Sequence, residues 1–294
     1  MKKKGGKILQ VLKPYLMVAP AIILLIAFTY YPMVDMIHMS FYDYNLISEK
    51  TFVGWENYRR LFTVNIDFWN SLRNTLVYTV ANVVSLIGLG LLLSLWLQKS
   101  TRFNAIAQRL MYMPNFVSML SVSLIFEWLM DDEGVFNAVL NIFNLPGLRW
   151  LNSSATAMLS IVIISVWKGI GAKALLILGS LKAIPESINE AAALDNAKPL
   201  KKFFKITLPM ISPQLFYLVI TSVMASFKVF ESVRVLTQGG PGNSTDVLVF
   251  YIYRYAFESM KLGYASAAGV VLSIILMIFS IFYFRMLSKR VHYQ

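Results

Sequence analysis

The chain has 294 residues, of which 57% are hydrophobic and 14% are charged, and its mean hydropathy is +0.61. Ordinary soluble domains are about one quarter charged, so this composition excludes a water-soluble globular protein. The net charge of +12 then indicates a basic membrane protein rather than a nucleic-acid-binding domain.

The sequence lacks the common catalytic, metal-binding and nucleotide-binding motifs. Without cysteine there can be no disulfide, thiolate metal site or cysteine nucleophile. The two histidines, His38 and His292, form no HExxH pair, and neither a GxxxxGK[ST] phosphate loop nor a GxGxxG fingerprint occurs. We therefore expect a chain that is not an enzyme and that binds no metal or cofactor itself.

Six stretches are long and apolar enough to cross a bilayer, whose core of about 30 Å needs roughly 20 apolar residues per helix. They run over Tyr15 to Val34, Thr75 to Leu97, Leu110 to Met130, Ala155 to Leu181, Leu215 to Leu236 and Tyr264 to Phe284. Helices satisfy their own backbone hydrogen bonds in lipid. The predicted fold class is all-α, a polytopic membrane protein with six transmembrane helices.

The first span follows a group of N-terminal lysines, which is also the pattern of a secretory signal. Its apolar run continues into Tyr30, Tyr31 and Pro32 without a small-residue cleavage site, which favours an uncleaved helix. Pro20 is expected to kink this helix or to lie where a neighbour covers the freed carbonyl.

The distribution of lysine and arginine predicts the orientation of the chain. Most of them fall in four regions: Lys2 to Lys13, Lys99 to Arg109, Lys182 to Lys205, and Arg285 to Arg290. Positive residues near span ends are retained in the cytoplasm, so both termini are predicted to be cytoplasmic.

Two segments on the opposite side are too short for independent domains: Met36 to Arg73 and Asp131 to Ser154. Their apolar spacing predicts short surface helices containing Trp55, Tyr58, Leu61 and Phe62 in one segment and Val135, Phe136, Val139 and Leu140 in the other. Such helices could be solvated caps or could contact an external partner.

The inner segment between the fourth and fifth spans, 184–213, reads IPESINEAAALDNAKPLKKFFKITLPMISP. Pro185 suits the first turn of a helix, Asn196 tolerates a left-handed backbone, and Pro199 can begin a second helix. We predict a helix, a turn and a helix parallel to the membrane. A solvated loop would explain the lysines, but not the small apolar face beside Glu190.

This segment resembles the EAA loop of ABC importer permeases. Glu190-Ala191-Ala192 is followed, at the family spacing, by Ile206, Leu208 and Pro209, and Asn196 stands where glycine is usual. Other patches resemble the carbohydrate branch of these permeases: Tyr31-Pro32, Ser40-Phe41, Gly54 to Tyr58, Leu236 to Pro241, Ser244-Thr245, Tyr251 to Tyr253, Ala256-Phe257 and Gly263 to Ala265.

The resemblance implies a type I ABC importer transmembrane fold. Residues 1–70 would be the N-terminal tail, first helix and outer loop, 71–288 a five-helix core with the EAA coupling loop at 184–213, and 289–294 a cytoplasmic tail. The chain would be a multi-pass permease subunit in a cytoplasmic membrane, of bacterial type, forming half of the pathway for a sugar or oligosaccharide.

The resemblance also implies partners. These are a second, similar permease subunit, two cytoplasmic ABC ATPase subunits that carry ATP and Mg²⁺, an extracellular solute-binding protein, the sugar substrate and membrane lipid, with no nucleic acid. The coupling loop would seat in a groove of one ATPase subunit, with Glu190 as polar anchor, Ala191 and Ala192 allowing close approach, and Asn196 forming the turn. Its other family positions are Asp195, Ile206, Leu208 and Pro209.

Charged residues inside the spans are candidates for the pore, because charge at membrane depth usually faces a cavity or a partner. The spacing of Lys228, Glu231 and Arg234 predicts one side of a helix, as a self-neutralising ladder or as pore lining. Lys168 and Lys173, five residues apart, are expected to diverge, one facing the pore and the other snorkelling or pairing with Glu127.

Polar and aromatic residues of the spans could recognise a sugar. Trp167, Asn82, Asn115 and Ser222 have suitable side chains, although each could instead serve helix packing. The sequence leaves open which sugar is carried and whether it is anionic.

Two other functional classes compete with the importer. An ion-coupled secondary transporter could use Glu127 or Glu231 as its coupling carboxylate. A membrane enzyme or sensor would need a convergent acid-base or metal set, which two distant histidines do not supply. Neither alternative gives a reason for the EAA spacing.

Overall fold

The computed structural model describes the backbone of residues 3–287 and the side chains of residues 14–285. Lys2 and the predicted tail at 289–294 therefore lie outside the described residues. The α-helices within that range are α1 Lys3–Leu25, α2 Tyr31–Met39, α3 Glu56–Arg59, α4 Ile66–Trp96, α5 Arg102–Tyr112, α6 Met119–Leu129, α7 Val135–Ile142, α8 Ala157–Lys182, α9 Glu186–Leu194, α10 Pro199–Lys202, α11 Leu208–Met210, α12 Ser212–Ser226, α13 Glu231–Leu236, α14 Leu248–Tyr253 and α15 Leu262–Leu287.

Shorter elements join these helices. The π-helical turns are Ile26–Tyr30, Arg60–Val64, Phe203–Thr207 and Arg254–Glu258, and Met113–Phe116 forms a 3₁₀ turn. Two short strands that the sequence did not predict, β1 Tyr42–Asp43 and β2 Thr51–Phe52, pair antiparallel with Tyr42 opposite Phe52. The predicted all-α class is confirmed.

Five helical stretches of the described range are long and apolar enough to span a bilayer: Pro14–Met39, Ile66–Trp96, Ala157–Lys182, Ser212–Leu236 and Leu262–Arg285. A sixth span results if the pair Arg102–Phe116 and Met119–Leu129, bent by 101°, is counted as one. The short helices predicted between spans are present as α3 with its following π-helical turn, and as α7.

Among the predicted spans, the second starts much earlier in the structure, and the third and the fifth are interrupted. The second begins at Ile66 rather than Thr75, because the side chain of Asn65 caps the helix by accepting a hydrogen bond from the amide of Asp67 at 3.0 Å. The third is not continuous, since Pro114 lies in a 3₁₀ turn near its start and Ser118 caps a new helix by accepting from the amide of Ser121. The fifth is interrupted between α12 and α13.

The described residues fall into two compact units. The first takes in the chain up to Val64 together with Ile252–Ser273. In it the first span continues to Met39, and its irregular turn, Ile26–Tyr30, lies just before Pro32 rather than at Pro20. Pro32 has no amide hydrogen to give to the preceding turn, and the π-helical turn accommodates that loss.

Buried polar contacts hold the segment after the first span. Asn57 is buried, and its amide donates to the carbonyls of Ser40 and Tyr42 at 2.9 Å each. Nearby, Glu56 accepts hydrogen bonds from Arg59 at 2.7 Å and Arg60 at 2.9 Å, and these lower the pKa of Glu56 to about 2. The Gly54 to Tyr58 patch is thus a local fold element, begun by Gly54 at φ +56°.

The second unit takes in Asn65–Tyr251 and the described residues from Ile274 onward. Here α8 packs along α4, and α12 packs against both helices. Gly171 lets the carbonyl of Met111 on α5 approach the backbone of α8, in space that any Cβ would occupy. A buried cluster of Ile177, Leu181, Ile211 and Leu218 joins α8 to the start of α12.

Candidate functional site

A cavity of about 390 Å³ lies in the second unit, and α4, α8, α12 and the segments beside α6 and α13 form its wall. All the predicted substrate-pathway residues except Trp167 line it: Asn82, Asn115, Lys173, Ser222, Lys228 and Glu231. Asn115, Lys228 and Glu231 are exposed, so the cavity opens on a side of this chain. A cavity between apolar helices whose wall carries several polar and charged side chains is suited to holding a hydrophilic solute.

Trp167 lies outside the lining. Its ring lies 5.1 Å, centroid to centroid, from the ring of Phe126 on α6, which is a packing contact. Successive residues of a helix point about 100° apart, so Lys168 can line the cavity while Trp167 packs against a neighbouring helix.

Both lysines of α8 line the cavity, so the expectation that only one of them would do so was wrong. The cavity extends along more than one turn of α8, from Ser165 to Lys173, and the long lysine side chains reach it from different directions. Among the described residues, neither lysine forms an ion pair with Glu127.

The predicted ladder of Lys228, Glu231 and Arg234 on one helix is also wrong. The helix ends at Ser226, Phe230 has φ −146°, and α13 starts at Glu231, so Lys228 lies in the break. No ion pair joins Lys228 to Glu231 within the described part of the chain. The break directs both charges to the cavity instead of to each other.

Several hydroxyl and amide groups of the cavity wall lack hydrogen-bond partners among the described residues. The amide of Asn82 donates to the hydroxyl of Ser226 at 2.9 Å, which fixes the side chain and leaves Oδ1 without a donor. The hydroxyls of Ser222 and Ser232 are buried, and within the described range they have no hydrogen-bond partner either. A solute rich in hydroxyl groups could satisfy such atoms after small side-chain rotations.

The segment at 184–213 forms the predicted helix, turn and helix. After α9 the backbone of Asn196 is left-handed, with φ +50°, as its place in the family pattern suggested. The amide of Asn196 donates to the carbonyl of Ala193 and the amide of Ala197 to that of Ala192, both at 3.0 Å. This hydrogen-bond pair is the Schellman ending of a helix, and asparagine replaces glycine in it.

Some of the predicted coupling residues are exposed, and others pack against the rest of this chain. Glu190, Ala191 and Asp195 are exposed, whereas Ala192 is buried in this chain and is not available to a partner. Leu208 packs against the buried cluster of α8 and α12, Ile206 lines a basic pocket with Lys198, Lys201, Lys202 and Lys205, and Pro209 lies in the first turn of α11. The loop is therefore attached to the spans.

Sequence reasoning missed the exposed apolar residues of this loop. Leu194, Leu200 and Phe204 are largely exposed, and for Leu194 the exposed fraction is 85%. A large apolar residue on the surface of a polar loop is a sign of a docking surface, and their position directly around the EAA sequence was the available signal.

The patch from Leu236 to Thr245 forms a loop that is tied to α4. The hydroxyl of Thr245 donates to the carbonyl of Gly240 at 2.7 Å, and the amide of Asn74 donates to the carbonyls of Asn243 and Asp246. Gly239 has φ +82°, and a Cβ there would lie 2.8 Å from the ring of Phe250. These residues serve the fold next to the cavity and do not line it.

A chain of long apolar helices around an open polar cavity, with a helix-turn-helix outside them, is built as a membrane permease. The family model described as binding-protein-dependent transport system inner membrane component matches residues 71–293. The chain belongs to this family and is a permease subunit of an ABC importer. The likenesses give no support to the ion-coupled alternative.

Several permease subunits of ABC transporters are similar to the chain. A probable ABC transporter permease protein, YurN, of Bacillus subtilis is 34% identical and aligns over 91% of this chain and 93% of its own length. The arabinooligosaccharides transport system permease protein AraP of Halalkalibacterium halodurans is 32% identical, over 91% of this chain and 85% of its own. The sulfoquinovosyl glycerol transport system permease protein SmoG of Agrobacterium fabrum is 33% identical, and it aligns over 97% of this chain and 92% of its own length.

A solved structure has the same fold. It is that of a bacterial ABC transporter involved in the import of the acidic polysaccharide alginate, and it matches with a TM-score of 0.87 over 99% of this chain and 100% of the matched chain. The sequence identity is 23%, so the likeness establishes the type of fold alone.

Proposed function

We propose that this chain lines one half of the path of a saccharide across a bacterial cytoplasmic membrane. The observation that carries the proposal is the polar cavity between apolar helices, open on one side where Asn115, Lys228 and Glu231 are exposed. A second permease subunit would close that side. The sugar class is supported by the unpartnered amide and hydroxyl groups of the wall and by relatives whose names include arabinooligosaccharides and sulfoquinovosyl glycerol.

The energy would come from a separate pair of ATPase subunits that bind ATP and Mg²⁺. The exposed face of α9, with Glu190, Ala191 and Leu194, is the surface proposed to enter a groove of one ATPase subunit. Leu208 would carry its displacement into α8 and α12, because it packs against their buried cluster. An outer binding protein would deliver the saccharide by binding the outward-facing state better than the inward-facing one.

The remaining assignments follow from this scheme. Both termini and the coupling loop at 184–213 would lie in the cytoplasm, with the transport core at 71–288 preceded by an accessory segment at 1–70. The concentration of lysines beside α9, at Lys198, Lys201, Lys202 and Lys205, supports that orientation.

The coupling role of Glu190 can be tested by charge reversal. We expect Glu190→Lys to lower saccharide-stimulated ATPase activity of the purified importer by about tenfold or more, because the variant puts a misplaced charge into a docking contact. The measurement is ATPase activity with and without saccharide-loaded binding protein, in complexes matched for subunit content.

Glu186→Lys is the matched control, since Glu186 is an exposed glutamate one turn earlier on α9. That control should keep most of the stimulation. Equal stimulation of the wild type and the Glu190 variant would remove Glu190 from the coupling contact.

A further inference from the structure

The wall of the cavity carries an excess of positive charge. Three lysines line it, Lys168 and Lys173 from α8 and Lys228 from the break after α12, against a single acid among the described lining residues, Glu231. All these residues lie within or beside helices that are apolar enough to span a bilayer.

These charges are not neutralised within the chain. Among the described residues, none of the three lysines is in an ion pair, and Glu231 is in none either. Lys168 and Lys173 are only partly exposed, and both line the cavity between apolar helices. A charge in that setting is costly unless it is hydrated or meets an opposite charge.

The uncharged polar groups of the cavity wall would contact a different part of a ligand, its hydroxyl groups. Asn82 Oδ1 and the hydroxyls of Ser222 and Ser232 are buried without partners in the described part of the chain, and small side-chain rotations would let these short, uncharged groups bind sugar hydroxyls. The volume of about 390 Å³ lies in the range of small-molecule sites, roughly 300–1,000 Å³. The cavity thus combines hydroxyl-binding groups with ammonium groups that lack an anion.

We propose that the transported saccharide is acidic and that an anionic group on it, such as a carboxylate, is held by Lys173 together with Lys168 and Lys228. This inference rests on the proposed function, since it names the substrate class of the same cavity. A neutral saccharide could satisfy the amide and hydroxyl groups but would leave the lysine charge in excess of Glu231 without an anion. An anionic group pairs with them inside the path, where water screens the attraction weakly.

The test compares charged and uncharged galactose-type saccharides of equal length. The whole importer with its binding protein is reconstituted in proteoliposomes, loaded with ATP, and given a mixture of oligogalacturonates and galacto-oligosaccharides of equal length, with accumulated sugars identified by mass spectrometry. We expect uptake of the acidic set at a rate at least about tenfold above the neutral set. Preferred uptake of the neutral set would overturn the acidic-substrate inference and leave the permease assignment standing, whereas no ATP-dependent uptake of any saccharide would overturn both.

Variants of Lys173 test whether the preference for acidic saccharides arises in the cavity. Lys173→Gln should raise the KM for the acidic substrate by about tenfold with little change in kcat, and Lys173→Arg should restore most of the affinity because it keeps the charge. Lys182→Gln, which removes an exposed lysine of the same helix away from the cavity, is the control and should leave KM unchanged. An unchanged KM in Lys173→Gln, in a complex of normal stability, would overturn the role of Lys173.

Discussion

Single buried asparagines order the segments between the spans. Asn137 on α7 is buried, and its amide donates to the carbonyls of Asp132 and Leu148 at 2.9 Å each. Its oxygen accepts from the amide of Leu148 at 2.9 Å and from the indole of Trp150 at 3.0 Å. One side chain therefore joins both ends of the segment between α6 and α8.

Removing this side chain should loosen that segment. Asn137→Ala leaves four hydrogen-bonding groups without their partner, and we expect a loss of about 2 kcal/mol or more, seen as a fall of several degrees in the apparent melting temperature in detergent. Asn141→Ala, an exposed position one turn further along α7, is the control and should change little. Similar melting temperatures for the two variants would contradict the joining role.

For single residues, the sequence predicted which side chains lie in the cavity wall better than it predicted their contacts. Most of the polar and charged residues singled out in the spans line one cavity, because charge and polarity at membrane depth usually face a cavity or a partner, but Glu127 and Arg234 do not line it. Trp167 does not line it either, since an aromatic side chain is as useful in packing as in binding sugars. Partners in space, such as Ser226 for Asn82, could not be read from one sequence.

Among the elements, hydropathy predicted where apolar helices exist but not where they break. The break in the third span could have been predicted from Pro114, because proline interrupts helices. The break after Ser226 has no such signal, because no glycine or proline lies between Pro213 and Leu236. Tertiary contacts determine it, and the charge ladder predicted across it was wrong for that reason.

The helix-turn-helix at 184–213 was the best predicted element. Pro185, Asn196 and Pro199 act through local backbone rules, which need no knowledge of distant contacts. The burial of Ala192 and the exposure of Leu194 depend on the three-dimensional arrangement of the loop, and the sequence did not predict them.

The contact between α5 and α8 depends on Gly171. A Cβ there would collide with the carbonyl of Met111, and a backbone atom cannot move aside without shifting its helix. We expect Gly171→Ala to cost about 1–3 kcal/mol and to lower the yield of monodisperse protein in size-exclusion chromatography.

Gly179→Ala is the matched control on the same helix, since nothing lies within 4 Å of its added Cβ. It should be neutral or stabilising, because alanine favours the helix over glycine by about 1 kcal/mol. Unchanged yield and stability in the Gly171 variant would contradict the close crossing of the two helices.

For the whole molecule, the two functional regions lie in one unit and are connected by packed residues. Leu208 in the coupling loop contacts the cluster that includes Ile177 on α8, and α8 carries Lys168 and Lys173 in the cavity wall. A displacement of the loop can therefore reach the cavity through a single helix. This connection gives a physical route for the proposed coupling between an ATPase partner at the loop and the cavity.

We propose that transport through this chain is driven by ATP on a partner subunit and supplied with substrate by a binding protein. The most direct test is saccharide uptake into proteoliposomes that hold the complete importer, measured with proton and sodium gradients intact and again with both collapsed by ionophores. We predict uptake only when ATP is present on the ATPase side and binding protein on the opposite side. Uptake that persists without ATP and stops when the ion gradients are collapsed would contradict the account.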